Sequence, residues 1–316
     1  MVFSHFSRQH TSKVLYLTLC VLLCSPHERL AASSWETWKS PHFYIHYHAS
    51  EHRTIQAVLH RAEQIYSTIS ADVGYTPSAK ITVYLCPTRA CFQHKQPSLH
   101  KVPGWAVGVA YPALNRIVMR SALTLQEGRY QIKPVEIFQH EVAHIILEQA
   151  LAPRGGAPRW LSEGFSMYHA RQWTIHGQRT IEEVTLRNNF LPLSMLVTGF
   201  PADEQAARIA YAQSFSVVSF MLNEYGQAIF HQFITNLRHG METNQALVSS
   251  AGVDITRLEL EWQASLKKRY SWFSYLSNIG IFWFAGSLIF LLAYFVKRYK
   301  VRRIHQQWEE EEEYDD

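Results

Sequence analysis

His140-Glu141-Val142-Ala143-His144 is the stretch that most narrows what this 316-residue chain can become. On a helix, residues four apart share a face. The two imidazoles therefore come within reach of one metal ion, and the glutamate between them sits beside the water that such a metal would activate. The flanks read as helical: Pro134 suits a first-turn position, Pro153 follows the end, and nothing between them interrupts the pattern. Val135, Phe138, Val142, Ile145 and Ile146 form an apolar stripe. At about 100° per residue, His140 and His144 point nearly opposite to it. Such a helix is expected to pack on a core with one side and hold a metal with the other.

A hydrolytic zinc site needs a third protein ligand and an open position. The next helical stretch, Arg159-Trp160-Leu161-Ser162-Glu163-Gly164-Phe165-Ser166, offers Glu163, with eighteen residues between it and His144. That interval has room for the helix to end, a turn at Pro153-Arg154-Gly155-Gly156 and Pro158, and a second helix packing back. HEVAH, eighteen residues and then WLSEGFS resembles the gluzincin metallopeptidases, whose M1 branch carries a similar WLNEGFA segment. The resemblance implies one Zn2+ ion held by His140, His144 and Glu163, with Glu141 as catalytic base and a peptide or protein as substrate. It departs from the M1 aminopeptidases in length, which leaves no room for their accessory domains. It also lacks a GAMEN-like segment to bind a free amino terminus, so the expected activity is endopeptidase rather than exopeptidase. Met167 stands where thermolysin-like enzymes carry an acidic residue beside a histidine ligand.

Ahead of this pair, Phe43-Tyr44-Ile45-His46-Tyr47-His48 alternates and reads as a strand, followed by a helix from about Glu51 to Val73 and a second strand from Lys80 to Leu85. His42, His46, His48 and His52 are read as polar positions rather than as a second metal site. Cys86 and Cys91 either close a short disulfide loop in an oxidising compartment or remain two thiols. Gly104 to Tyr111 is small and extended, and Asn115 to Arg120 looks like its partner strand. A hairpin there resembles the gluzincin edge strand that borders the cleft. By that resemblance Gly108, Val109 and Ala110 would take a peptide substrate as one more strand, the alternative being a plain hairpin.

Beyond Glu163 the chain reads as helical. A short apolar segment covers Leu191 to Thr198, and a long helix runs from Asp203 to Glu224. Further helices run from Gln227 to His239 and from a cap at Asp254 through Trp262 towards Lys268. Tyr211, near the start of the long helix, resembles a feature of compact peptidase MA-like domains whose phenol would donate to the oxyanion. Tyr168 and His169 compete for that role.

The ends of the chain are hydrophobic. Arg8 and Lys13 precede an apolar run from Val14 to Leu23, which reads as a secretory signal, cleaved near Ala31-Ala32-Ser33 or retained as an anchor. Tyr275 to Val296 is an uncharged apolar run of 22 residues, long enough to span a bilayer as a helix. Lys297, Arg298, Lys300, Arg302 and Arg303 follow it and place that end in the cytoplasm. The acidic tail from Glu309 reads as solvated. The formal charge of +4 is modest, and no stretch combines basic and aromatic residues in a way that suggests nucleic-acid binding.

The expected architecture is α+β and zincin-like: a small mixed sheet packed on an active-site helix, then a helical lobe and a carboxyl-terminal transmembrane helix. The expected segments are a signal peptide or anchor at 1–33, a gluzincin peptidase-like domain at 34–270, a membrane helix at 275–296 and a cytoplasmic tail at 297–316. The chain would sit in the cell membrane as a single-pass protein with its catalytic domain outside the cytoplasm. The alternative is a catalytically silent gluzincin-like binding or assembly module on the same anchor.

Overall fold

Alternation marks the two inner strands that start the sheet. In β2 (Phe43–His48), Phe43, Ile45 and Tyr47 are buried while Tyr44 is exposed, and in β3 (Ile81–Cys86) Ile81, Val83 and Leu85 are fully buried. The computed structural model describes residues 35–97, 106–121, 133–152, 156–270 and 272–312, excepting the side chains of 272–282 and 306–312. Its five strands lie in the order β1-β2-β3-β5-β4. β1 (Trp35–Lys39) runs antiparallel to β2, and β2, β3 and β5 (Arg116–Arg120) are mutually parallel. β4 (Gly108–Tyr111) closes one edge antiparallel to β5. α1 (His52–Val73) makes the crossover from β2 to β3 and ends on Gly74, whose φ of 65° suits a left-handed cap.

The sheet's apolar face packs on α1 and on α3 (Pro134–Leu151), which carries the HEVAH segment. The other face is covered at one end by α2 (Arg89–Lys95), capped by Thr88 and joined to β3 through a Cys86–Cys91 disulfide. Phe92, Ala106 and Val118 complete this smaller cluster. The remainder is helical: α4 (Arg159–His169), α5 (Ile175–Arg187), α6 (Glu204–Phe220), α7 (Gln227–Arg238), α8 (Thr243–Ala251) and α9 (Ile255–Arg269). Asp203 and Asp254 cap α6 and α9 through their carboxylates. α4 crosses α6 at Gly164, where a Cβ would lie 2.2 Å from the Ser214 carbonyl oxygen. Only a glycine lets the two backbones approach so closely.

Several boundaries differ from the sequence pattern. α3 is not one-sided: Ile137, Ala143, Leu147, Ala150 and Leu151 are buried along with the expected stripe, because the sheet, α1 and α4 surround it. The long helix expected to reach Glu224 stops at Phe220 and widens into a π-turn over Met221–Tyr225. β1, α2, α5 and α8 lack a strong sequence signal. The expected edge strand is shorter, beginning at Gly108; Gly104 and Trp105 lie outside the described residues, as do the 1–33 segment, residues 153–155 and the end of the acidic tail.

The apolar run 275–296 falls within α10 (Trp272–Glu312). Among the described residues, no helix is long and apolar enough to cross a membrane. The described side chains of that run are exposed, Trp283 at 77% and Phe290 at 73%.

Candidate metal centre

Two helices build the site. α3 turns His140 and His144 to one side, one turn apart, and their Nε2 atoms stand 3.1 Å from each other. α4 packs back against α3 and delivers Glu163, whose Oε2 lies 3.7 Å from His140 Nε2 and 3.6 Å from His144 Nε2. Ligands about 2.0–2.1 Å from a tetrahedral zinc ion stand about 3.3 Å apart. A triangle of two nitrogens and one carboxylate oxygen with these edges fits that ion, and the donor set is that of a zinc site with three protein ligands. Among the described residues, no other group of three His, Cys, Asp or Glu side chains converges in this way, the histidines of β2 included.

Charge is held here rather than suppressed. Burial alone would raise the Glu163 pKa, but the facing imidazoles of His144 and His140, together with Arg159, hold it well below the ordinary range. Burial would lower His144, and Glu163 outweighs it and raises it. Arg159 Nη2 lies 2.5 Å from Glu163 Oε1, so one carboxylate oxygen is occupied by the guanidinium while the other faces the imidazoles. Arg159 stands four residues before Glu163, a spacing that pairs opposite charges on a helix and could have been read from the sequence.

Glu141 is buried, and burial pushes its pKa up; Glu163 adds to the rise, while His140, His144 and the Ala110 backbone amide oppose it. Its nearest strand is β4. A Cβ at Gly108 would come within 2.5 Å of Glu141 Oε1, so the glycine admits the carboxylate. The Arg120 amide bonds the Val107 carbonyl, and Gly108 pairs with Met119. In an antiparallel ladder this turns the main-chain groups of Val109 inward to β5 and those of Gly108 and Ala110 outward at the open edge. Val109 also sends its side chain into the smaller cluster. Of the three residues expected to meet a substrate, Gly108 and Ala110 turn their main-chain groups to the open edge and Val109 turns its own toward β5.

Tyr211 reaches the site from α6. Burial raises its phenol pKa, as do Glu163 and Glu141 nearby, while Arg159 bonds the phenol and opposes the rise. Phe200 packs edge-on to the same ring at 4.9 Å. Tyr168 is 37% exposed, and His169 turns to Asp72 on α1. Two further residues escaped the sequence reading. Ser162 Oγ lies 3.0 Å from His144 Nδ1, and it donates to Glu148 Oε1 at 2.5 Å. Glu148 follows His144 by one helical turn, which places both on one face.

A family model described as the Peptidase MA superfamily matches residues 61–268, well over half of the chain. The chain belongs to the Peptidase MA superfamily. No curated protein matches it by sequence. Among solved structures, an M1 zinc metallopeptidase from Deinococcus radiodurans is 16% identical, with 74% of this chain and 51% of that one covered and a TM-score of 0.44. Native yeast LTA4 hydrolase is 15% identical, with 74% and 38% covered and a TM-score of 0.42. This member of the superfamily thus spans about half the length of the first and less of the second.

Proposed function

We propose that this protein is a membrane-anchored zinc metallopeptidase that hydrolyses peptide bonds within a chain. The observation that carries the proposal is the convergence of His140, His144 and Glu163, whose ligand atoms lie within 4.8 Å of one another beside the buried carboxylate of Glu141. A bound zinc ion would supply Lewis acidity toward a carbonyl oxygen and lower the pKa of water. Glu141, its proton affinity raised by burial, accepts the proton of the attacking water and returns it to the leaving amine. Tyr211, whose raised pKa keeps it protonated at neutral pH, donates to the charge that develops on the scissile oxygen. The substrate main chain adds to the open edge of β4 at Gly108 and Ala110.

Anchoring is supported by α10. Trp283, Phe284, Leu288, Ile289 and Phe290 are each at least half exposed, and a helix that shows such side chains to water lacks the cover they require. The basic residues from Lys297 to Arg303 follow, which favours a cytoplasmic carboxyl end and a catalytic domain on the opposite side.

The test is made on the full chain in detergent. One zinc per chain and cleavage of a peptide library by the unsubstituted protein, with zinc kept and cleavage lost in Glu141→Gln, is the expected result. Zinc without cleavage in either form would favour a silent binding module. A reporter fused after Asp316 that is active only outside the cytoplasm would overturn the topology.

A further inference from the structure

The two histidines of the HEVAH segment are supported unequally. His140 Nδ1 is buried and has no hydrogen-bond partner among the described residues. His144 Nδ1 meets Ser162 Oγ at 3.0 Å, and Ser162, 1% exposed, in turn meets Glu148 Oε1 at 2.5 Å. Donors and acceptors along this row can be counted. An ionised carboxylate only accepts, so the single hydroxyl proton of Ser162 goes to Glu148. Ser162 Oγ is then an acceptor, and His144 Nδ1 must carry the proton that it receives. In the neutral ring the lone pair is then left on Nε2, the atom that faces His140 and Glu163.

Glu148 is fixed at its other end as well. Its Oε2 accepts from the Ala157 amide at 3.3 Å, in the segment that brings α4 back onto α3. Gly156, at φ 88°, lies against the same oxygen, where a Cβ would come within 3.2 Å. One carboxylate thus touches the turn that returns the chain and, through Ser162, the imidazole whose ring it holds.

We propose that Glu148 acts through Ser162 as a positioning residue that fixes the tautomer and orientation of His144 for metal binding. The role is one that Met167 cannot supply from its own position. It rests on the zinc reading given above and assigns to it a carboxylate on the same helix as the ligand that it serves. Carboxylates that steady a histidine ligand in this way typically matter 10- to 100-fold in metal affinity.

The experiment measures zinc affinity of the full chain in detergent by competition with a chelator, together with melting temperature of the metal-free protein. Glu148→Gln and Ser162→Ala are each expected to weaken zinc binding by about 10- to 100-fold. The double substitution is expected to lose little more than either alone, because both break one row of hydrogen bonds. Ser162→Thr, which keeps the hydroxyl, is expected to retain affinity close to that of the unsubstituted chain. If Glu148 served only to secure the turn at Ala157, Glu148→Gln would lower the metal-free melting temperature with zinc affinity unchanged, and the proposal would fall. Losses that multiply in the double substitution would also overturn it, since they denote two separate contributions. Failure of the unsubstituted chain to bind zinc would overturn the zinc reading and this one together, whereas unchanged affinity in Glu148→Gln overturns only the relay.

Discussion

The two ends of α4 each bury a carboxylate–histidine contact, and the two contacts treat charge in opposite ways. At the first, Glu163 is held well below the ordinary carboxylate range and His144 is raised. At the second, His169 Nε2 stands 3.5 Å from Asp72 Oδ2, and burial takes its pKa down to about 4 although Asp72 pulls it upward. Compensation separates them. Glu163, with 4% of its side chain exposed, faces two imidazoles and a guanidinium; Asp72 is 26% exposed and shares its carboxylate with Gln227. One partly solvated carboxylate does not offset the desolvation of a ring packed on Phe165 at 4.3 Å. Buried charge persists where several partners converge, and that is the end of α4 facing Glu141.

The comparison is tested most severely at Glu141. Glu141→Gln removes the proposed proton acceptor but none of the three proposed metal ligands. Hydrolysis of a library-selected peptide should fall about a hundred- to ten-thousandfold while zinc content stays at the unsubstituted value. Near-normal turnover would mean that the charged end of α4 serves something other than proton transfer. Tyr211→Phe comes next, with an expected hundred- to thousandfold fall in kcat, KM little changed and the melting temperature kept. A phenol that only packs against Phe200 would give the reverse: lower stability and intact kcat.

Much of the charged end was legible in the sequence, and little of the neutral end was. His140, Glu141 and His144 are fixed by helical spacing, and Glu163 by its interval and the WLSEGFS resemblance. These are local patterns, so the side chains that they bring together needed no tertiary information beyond a second helix folding back. Ser162 and Glu148 belong to the same local frame, but a serine and a glutamate on helices are too common to single out without the hydrogen bonds. The His169–Asp72 contact joins residues 97 positions apart, so no local pattern announces it. Which residues of β4 turn their main-chain groups outward depends on register with β5, and the strand's own sequence does not carry that register. The one-sided helix expected for HEVAH failed for a related reason: its polar-side neighbours Ile137 and Ala143 gained cover only from elements distant in sequence.

Gly164 sits between the two ends and sets the distance of both from α6. Gly164→Ala would push a methyl group to within 2.2 Å of a main-chain oxygen, which no side-chain rotation relieves. Overpacking of this kind should cost about 3 kcal/mol, the upper part of the usual range. The denaturant midpoint of the metal-free protein measures it, and an unshifted midpoint would show that α4 and α6 do not cross there.

The smallest effect concerns the neutral end, and its sign follows from linkage. The folded pKa of His169, about 4, lies below the ordinary 6.5, so as pH falls the unfolded chain takes up the proton first. Stability is therefore full above about pH 6.5 and is lost as the pH drops towards 4. Between pH 7 and pH 5 the loss from this one ring should be about 2 kcal/mol. His144 responds in the opposite sense, since its folded pKa is raised, which is why the measurement must be a difference between variants rather than a single profile. Denaturant unfolding of the metal-free chain at pH 7, 6 and 5 should show a shallower acid loss in His169→Phe than in the unsubstituted protein. Phenylalanine keeps the ring against Phe165 and cannot bind a proton. Equal slopes would mean that His169 titrates alike in the folded and unfolded chains, and the contrast between the two ends of α4 would then rest on geometry alone.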